Sequence, residues 1–551
     1  MKKLRNILYP VRHRLLYIPI ALLFALSFVD CAKRGSPSGG LKDTLAPVIV
    51  KSIPENYSTN FEGNEIRIYF DEYIKLVDIQ KNLIVSPPLE YQPIITPLST
   101  SKQLRIKILD TLRENTTYSF NFGNSIVDNN EAIEFPYFKY VFSTGSYIDS
   151  LQLNGTIKDA LLPKAENLAS VLLYEINETF TDSVIFSKKP MYITTTQDST
   201  GTFQFTNLKA GKYVLVGLKE KSNDYIFQPK NDKIGFVRDT VTLPTDSTYT
   251  VTLFKEIPAY KMARPTHISK HEFIFGYEGN IDSLVLEPIS ILPKDFTAIT
   301  YRDTEKDTLH YWHKPAFDSE VTDSLLYVAK NRGAIDTLEV TIKSLFVDSL
   351  KVSIVKGGTL TPKDTFQLQF NTPLVSVDET LLSILDKDSI AVPVLARKDT
   401  LYNKTHIIFE KKPDQRYTIT ALPGTFTDFF EATNDTLSYS VKTKAEDDYG
   451  VIRLNLKNVT QVPLLIEVVD NKFNIVQTTK LANFSEAENE LTFPYLEPGI
   501  YYVRVVFDTN KNGIWDTGNF LRKEQPERVL YYGEAIEIRA NWDSVYTFTL
   551  N

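Results

Sequence analysis

The feature that most constrains this chain is a two-residue period. From Ala46 onward, apolar and polar residues alternate in short runs. Examples are Glu65-Ile66-Arg67-Ile68-Tyr69-Phe70, Gln103-Leu104-Arg105-Ile106-Lys107-Ile108, Thr117-Tyr118-Ser119-Phe120-Asn121-Phe122 and Thr202-Phe203-Gln204-Phe205. Successive strand side chains point to opposite faces, so such runs bury one face and wet the other. Turn residues break the pattern at spacings of roughly ten, the rhythm of antiparallel β-sandwiches. No long stretch of 3.6 periodicity competes with it. The strand-forming Tyr and Phe number 30 and 33, which fits. The 551 residues suffice for about three to five domains. Hydrophobic residues at 42% supply cores, and a net charge of −7 leaves no basic footprint for nucleic acid, so no nucleic-acid partner is expected.

The pattern repeats on a longer scale. Ile66-Arg67-Ile68-Tyr69-Phe70, continuing to Val77-Asp78, aligns with Phe366-Gln367-Leu368-Gln369-Phe370, continuing to Val377-Asp378. Further along, Tyr118 and Asp128 align with Tyr417 and Asp428. A second pair of segments matches Phe203, Phe205, Leu208, Gly211 and Tyr213 to Leu491, Phe493, Leu496, Gly499 and Tyr501. Two module types therefore each occur twice in the same order. Duplication and convergence on one β pattern are both open explanations.

The first module opens on Ala46-Pro47 and Ser52-Ile53-Pro54-Glu55-Asn56. It continues through Ile68-Tyr69-Phe70-Asp71-Glu72, Glu114-Asn115-Thr116-Thr117-Tyr118 and Asp128-Asn129-Asn130, and closes on Tyr140-Val141-Phe142-Ser143-Thr144. It resembles the bacterial Ig-like domain of the SbsA type. The second module, Asp198-Ser199-Thr200-Gly201-Thr202-Phe203-Gln204-Phe205 followed by Leu208-Lys209-Ala210-Gly211-Lys212-Tyr213, resembles the transthyretin-like sandwich of carboxypeptidase regulatory and collagen-adhesin stalk domains. The expected fold is all-β, a tandem array of antiparallel β-sandwiches. Its expected parts are 44–146 Ig-like, 147–255 transthyretin-like, 256–355 β-rich and unassigned, 356–446 Ig-like and 447–551 transthyretin-like.

Cys31 is the single cysteine, which excludes an intrachain disulfide and a Cys-ligated zinc or iron–sulfur site. Residues 1–14 carry Lys2, Lys3, Arg5, Arg12 and Arg14, and an apolar run from Leu15 to Phe28 follows. The run is short for a membrane span but suits a signal-peptide core. Ending on Cys31, residues 1–30 resemble a bacterial lipoprotein signal, with Val29-Asp30 a departure from the usual small residues. The resemblance implies diacylglycerol on Cys31, with 31–43 as a polar tether. Whole-chain resemblance is to outer-membrane lipoproteins of Bacteroidota, with the exposed face of the membrane left open.

Asp508, Asn510, Asn512 and Asp516 alternate around Gly513 and resemble an EF-hand-type calcium loop. Asn519 stands where such a loop carries its bidentate Glu, so the alternatives are a structural calcium and a polar hairpin that holds itself. The corresponding loop of the earlier copy, Glu220 to Tyr225, lacks most of these ligands. His267, His271, Glu272, His310 and His313 lie near one another in sequence, but in strand and loop context they are expected to be solvated rather than convergent. No nucleophile elbow, H-E-x-x-H, P-loop or dinucleotide fingerprint occurs, so no catalytic residues are expected.

Asp followed by Ser/Thr and then Ala, Ile, Leu, Val, Met or Thr occurs 16 times, as at Asp43-Thr44-Leu45, Asp110-Thr111-Leu112, Asp282-Ser283-Leu284, Asp336-Thr337-Leu338, Asp399-Thr400-Leu401 and Asp543-Ser544-Val545. Turn closure explains it physically, and it also resembles the O-glycosylation acceptor of Bacteroidota. The expected function is a non-catalytic, lipid-anchored scaffold with an outer-membrane protein partner, as an accessory subunit of an assembly or export complex. The alternatives are a carbohydrate-binding surface lipoprotein of a glycan-uptake system and an adhesin or envelope spacer. No cofactor is required; a structural calcium is one of the two alternatives for the Asp508–Asp516 loop.

Overall fold

A computed structural model describes residues 43–550 apart from 165–167, 197–199 and 486–488. Cys31, the signal segment and nearly all of the tether lie outside the described residues, as do Asp198 and Ser199. The regular secondary structure of the described residues is nearly all β, and most strand pairs are antiparallel. Among the described residues no helix is long and apolar enough to cross a membrane.

Two compact units emerge. One takes the described residues up to Leu83 together with Tyr91–Thr111 and Phe120–Val141; the other takes Ile84–Glu90, Leu112–Ser119 and Phe142 onward. In the first, Ile49–Ile53, Glu65–Leu76, Ser101–Lys107 and Ile94–Thr96 form a sheet in that order. Ile66, Ile68 and Phe70 are buried on its inner face, as the alternation requires. Asp128 closes a turn by accepting from the amides of Asn130, Glu131 and Ile133.

The second unit repeats that sheet as Val352–Lys356, Phe366–Phe370, Lys404–Phe409 and Val394–Asp399. The sheet thus begins on the N-terminal side of residue 356. The aligned residues do the same work in both copies. Asp428 accepts from the amides of Phe430 and Ala432. The hydroxyl of Tyr118 accepts from the Arg113 amide at 2.9 Å, and that of Tyr417 from the Lys412 amide at 2.7 Å, each from five residues upstream.

Two further sandwiches in this unit share one topology. In the earlier, Tyr192–Thr195, Ser170–Glu175, Gly211–Lys219 and Lys233–Phe236 form one sheet, with Val241–Leu243 also on Gly211–Lys219. Thr202–Leu208, Leu151–Asp159 and Thr248–Leu253 form the other, the last pair being parallel. The later sandwich reproduces this. Ile475–Leu481, Leu464–Val469, Gly499–Phe507 and Val529–Tyr531 form one sheet, with Ile536–Ile538 added. Glu490–Leu496, Gly450–Lys457 and Asp543–Thr549 form the other, again with a parallel pair. The Tyr213 hydroxyl donates to the Lys209 carbonyl at 2.9 Å and the Tyr501 hydroxyl to the Glu497 carbonyl at 2.8 Å. Gly155 is required where it stands, because an added Cβ would lie 2.3 Å from the Phe203 ring and 2.4 Å from the Tyr249 carbonyl. Between these two sandwiches in sequence, Glu272–Glu278 and Thr308–Lys314 pair at the centre of a further sandwich with a Phe- and Tyr-rich core.

The middle strands of the repeated sandwiches depart from period 2. Leu464–Val469 is buried at every position, and Ser170–Glu175 at all but its last. A strand buried on both faces must be covered twice. One face of each meets its own core. For Ser170–Glu175 the other face, carrying Leu172 and Tyr174, joins a second cluster that contains Phe520 from the later sandwich. For Leu464–Val469 the other face carries Glu467, and Arg504 on the neighbouring strand extends that face to the Leu161 carbonyl.

Candidate functional site

The loop Asp508–Asp516 leaves the strand Gly499–Phe507 and is the best-defined polar constellation of the second unit. Gly513 sits at φ +82°, where a Cβ would be strained and would lie 1.7 Å from Nζ of Lys480. Its amide donates to Oδ2 of Asp508 at 2.9 Å. Nδ2 of Asn510 and Nδ2 of Asn512 both reach Oδ2 of Asp516, at 2.6 and 2.7 Å. Asn510 Oδ1 accepts from the Asn512 amide and Asn512 Oδ1 from the Ile514 amide. Asn510 and Asn512 thus meet at Asp516 and close Asx turns on the backbone, while Asp508 holds the Gly513 amide.

Glu527 is the site residue that spacing could not reveal. One oxygen accepts from the amide and hydroxyl of Thr509, at 2.6 and 2.8 Å, and the other from the Asp516 amide at 3.1 Å. Its own carbonyl accepts from the Trp515 indole at 3.1 Å. Glu527 lies eleven residues beyond Asp516, outside the window in which a loop motif is read. The available signal was its position just before the strand Val529–Tyr531, which fixes it across the loop.

The earlier copy shows what is general and what is special. Glu220 occupies the position of Asp508, and its Oε2 accepts from the Tyr225 amide at 3.0 Å as Asp508 accepts from Gly513. Asp232 accepts from the Gln228 amide at 2.8 Å as Glu527 accepts from Asp516. Tyr225 and Gly513 both have positive φ, as do Asn223 and Lys511. The backbone device is thus shared. The side chains differ, with Ser222 for Asn510, Asp224 for Asn512 and Gln228 for Asp516. Burial pushes the Glu220 carboxyl up to about 7, against the backbone amides that favour its ionised form.

In both loops one carboxylate oxygen is buried with no hydrogen-bond partner, Oε1 of Glu220 and Oδ1 of Asp508. Asp508 is 2% exposed. Among the described residues no group of three or more His, Cys, Asp and Glu side chains is arranged to hold a metal ion. The Asp508 loop instead offers two carboxylates and two amides, a set suited to a hard, oxygen-seeking cation.

Beyond Asp516 the chain forms an arm. Thr517 Oγ1 donates to the Lys255 carbonyl at 2.6 Å, and Phe520 is fully buried with Phe236 and Phe254, its ring 5.2 Å from that of Phe236. The Phe520 amide donates to Glu256, Gln525 to the Phe236 carbonyl at 2.9 Å, and Lys523 to Asp182 at 2.6 Å.

The histidines correct the expectation of solvated, scattered side chains. His267 and His313 are 3% and 0% exposed. Strand pairing, which sequence spacing does not encode, brings the rings of His267 and His271 to 6.5 and 6.0 Å from that of His313. His313 donates from Nδ1–H to the Pro315 carbonyl at 3.0 Å, and burial pushes the imidazole down to about 4. His310 is held by Glu272 at 2.5 Å and Asp303 at 3.4 Å; these carboxylates raise its affinity for a proton against the burial that lowers it.

Several Asp-Ser/Thr motifs close turns as their chemistry allows. Asp43 accepts from the Leu45 amide and Asp399 from the Leu401 amide, both at 3.0 Å.

Residues 43–144 match the family model described as a bacterial Ig-like domain. The chain matches none of the curated proteins with which it was compared. Solved structures similar to it include the S-layer protein rSbsC(31-844), 13% identical over 89% of this chain and 67% of that one, with a TM-score of 0.17. Another is BcpA, the major pilin subunit of Bacillus cereus, 12% identical over 73% of this chain and 99% of that one, with a TM-score of 0.14. At such TM-scores the likeness carries no argument about function.

Proposed function

We propose that this chain is a non-catalytic, lipid-anchored scaffold of the bacterial outer membrane, an accessory subunit of a protein assembly or export complex. The observation that carries the reading is the interlocking of the repeated sandwiches. Phe520, Arg504 and the doubly covered strands join modules that a flexible string would leave separate. Such an interlocked body suits holding a partner in fixed geometry. The match of residues 43–144 to a bacterial Ig-like domain supports an envelope setting, and the repeated sandwiches are read as transthyretin-like modules. Diacylglycerol on Cys31 would supply the anchor.

Cross-linking in intact membranes followed by affinity capture tests this reading. Recovery of a defined outer-membrane protein is the expected result, and recovery of the chain alone would sink it. A Cys31→Ala variant is expected to leave the membrane fraction. The glycan-uptake reading is less favoured, because Trp312 is buried and the Trp515 indole is engaged by Glu527, which leaves only Trp542 well exposed among the three Trp. Thr44, Thr111, Ser283, Thr337 and Thr400 are exposed, as acceptors of O-linked glycan would have to be. Intact-mass measurement of the native protein tests that modification.

A further inference from the structure

We propose that the Asp508–Asp516 loop binds Ca²⁺ and that this cation locks the Thr517–Glu527 arm into the earlier sandwich. The cation would make the clasp between the two sandwiches conditional on its own concentration.

The argument begins with the buried orphan. Asp508 has one oxygen on the Gly513 amide and the other, enclosed in protein, on nothing. A buried carboxylate oxygen needs a hydrogen bond, a cation or a proton. In the earlier copy the orphan oxygen belongs to Glu220, whose proton affinity burial raises, with Asp224 beside it. The later copy keeps two carboxylates but moves the second to Asp516, and it places the amides Asn510 and Asn512 where Ser222 and Asp224 stand. No Lys, Arg or His among the described residues forms an ion pair with Asp508, Asp516 or Glu527. Lys480 reaches the rim at Gly513 without pairing with them. Oδ1 of Asn510 and Oδ1 of Asn512 each take one backbone amide and keep a second lone pair. Carboxylate and amide oxygens are the ligands that favour Ca²⁺ over softer metals. With two carboxylates, affinity falls at the weak end, about 10⁻⁴–10⁻³ M.

Glu527 is the positioning residue that couples loop to arm. Its carboxylate receives amides from both ends of the loop, Thr509 and Asp516, while its backbone ends the arm that carries Phe520. A cation that rigidifies the loop therefore holds both ends of the arm at the spacing that seats Phe520 against Phe236.

The test uses the full chain, with Ca²⁺ and Mg²⁺ as probes and Tb³⁺ luminescence excited through Trp515 as a binding readout. Trypsin reports the arm, which carries Arg522 and Lys523. At ~10 mM Ca²⁺, about tenfold above the weakest expected Kd, cleavage of the arm is expected to slow about tenfold, and Mg²⁺ is expected to have little effect. Asp508→Asn and the exposed Asn510→Ala are each expected to lose both the Tb³⁺ signal and the protection. Phe520→Ala is expected to keep the Tb³⁺ signal and to be cut quickly with or without Ca²⁺. No Ca²⁺-competed Tb³⁺ signal at these concentrations would overturn the site. Binding without any change in cleavage would overturn the coupling.

Discussion

Arg504 and Glu467 form a buried ion pair on adjacent strands, Nε to Oε2 at 2.6 Å, and the same guanidinium donates from Nη1 to the Leu161 carbonyl of another sandwich at 3.1 Å. The side chains are 7% and 6% exposed. Removing one partner leaves a buried charge unpaired, at a cost of about 3–5 kcal/mol, whereas an apolar pair of similar volume is often neutral. Arg504→Met is therefore expected to destabilise strongly, and Arg504→Met with Glu467→Leu much less. Urea unfolding of the two variants checks this, and equal losses would refute it.

Phe520 fills a pocket built by residues nearly three hundred positions earlier. Truncation to Ala is expected to cost about 3–5 kcal/mol at the contact between the sandwiches, the usual range for a buried aromatic. Because the cores of Leu454 and Leu215 are separate from it, each sandwich should keep its strands. Hydrogen exchange is expected to rise at the Phe236–Phe520 contact and to stay low in those cores. Uniform exchange throughout would show that the modules fold as one.

Glu220 and His313 predict opposite responses to pH. The folded Glu220 carboxyl is pushed up to about 7 by burial, against 4.5 for a solvated carboxyl in the unfolded chain, so folding holds a proton in that window. Its contribution is complete below about pH 4.5 and is lost as pH rises through about 7. Glu220→Gln is expected to gain stability relative to the parent at pH 8 and not at pH 4. A gain equal at both pH values would show that the proton is irrelevant.

Burial pushes His313 down to about 4 in the fold, against 6.5 for a solvated imidazole in the unfolded chain, so the folded protein disfavours its protonation. Its contribution is present above pH 6.5 and is lost as pH falls through about 4. Exchange protection of Thr308–Lys314, corrected for intrinsic rates, is expected to fall between pH 7 and 4. Unchanged protection there would remove His313 as a source of acid sensitivity.

Much of this architecture was legible because it is local. Alternation placed Ile66, Ile68 and Phe70 inside, and the aligned pairs Tyr118/Tyr417 and Tyr213/Tyr501 repeat the same bonds to near neighbours. The loop residues Asp508 to Asp516 were likewise found by spacing. What escaped depends on chain segments meeting far apart in sequence. Glu527 reaches the loop through strand placement, the histidines gather through cross-strand register, and Phe520 finds its pocket through tertiary packing. One signal for that packing was present, the unbroken apolar run Leu464-Leu465-Ile466 before Glu467, which already implies cover on both faces.

The parallel pairing of first and last strands has a mechanical consequence. Leu151–Asp159 runs alongside Thr248–Leu253 in the same direction, so a pull on the two ends of that sandwich drags these strands past each other lengthwise. Their hydrogen bonds then resist in shear, together, rather than parting one at a time as in an unzipped hairpin. Gly450–Lys457 and Asp543–Thr549 give the later sandwich the same geometry. Tension along the chain would thus meet its stiffest resistance in the repeated sandwiches, each of which carries the strain across a single seam.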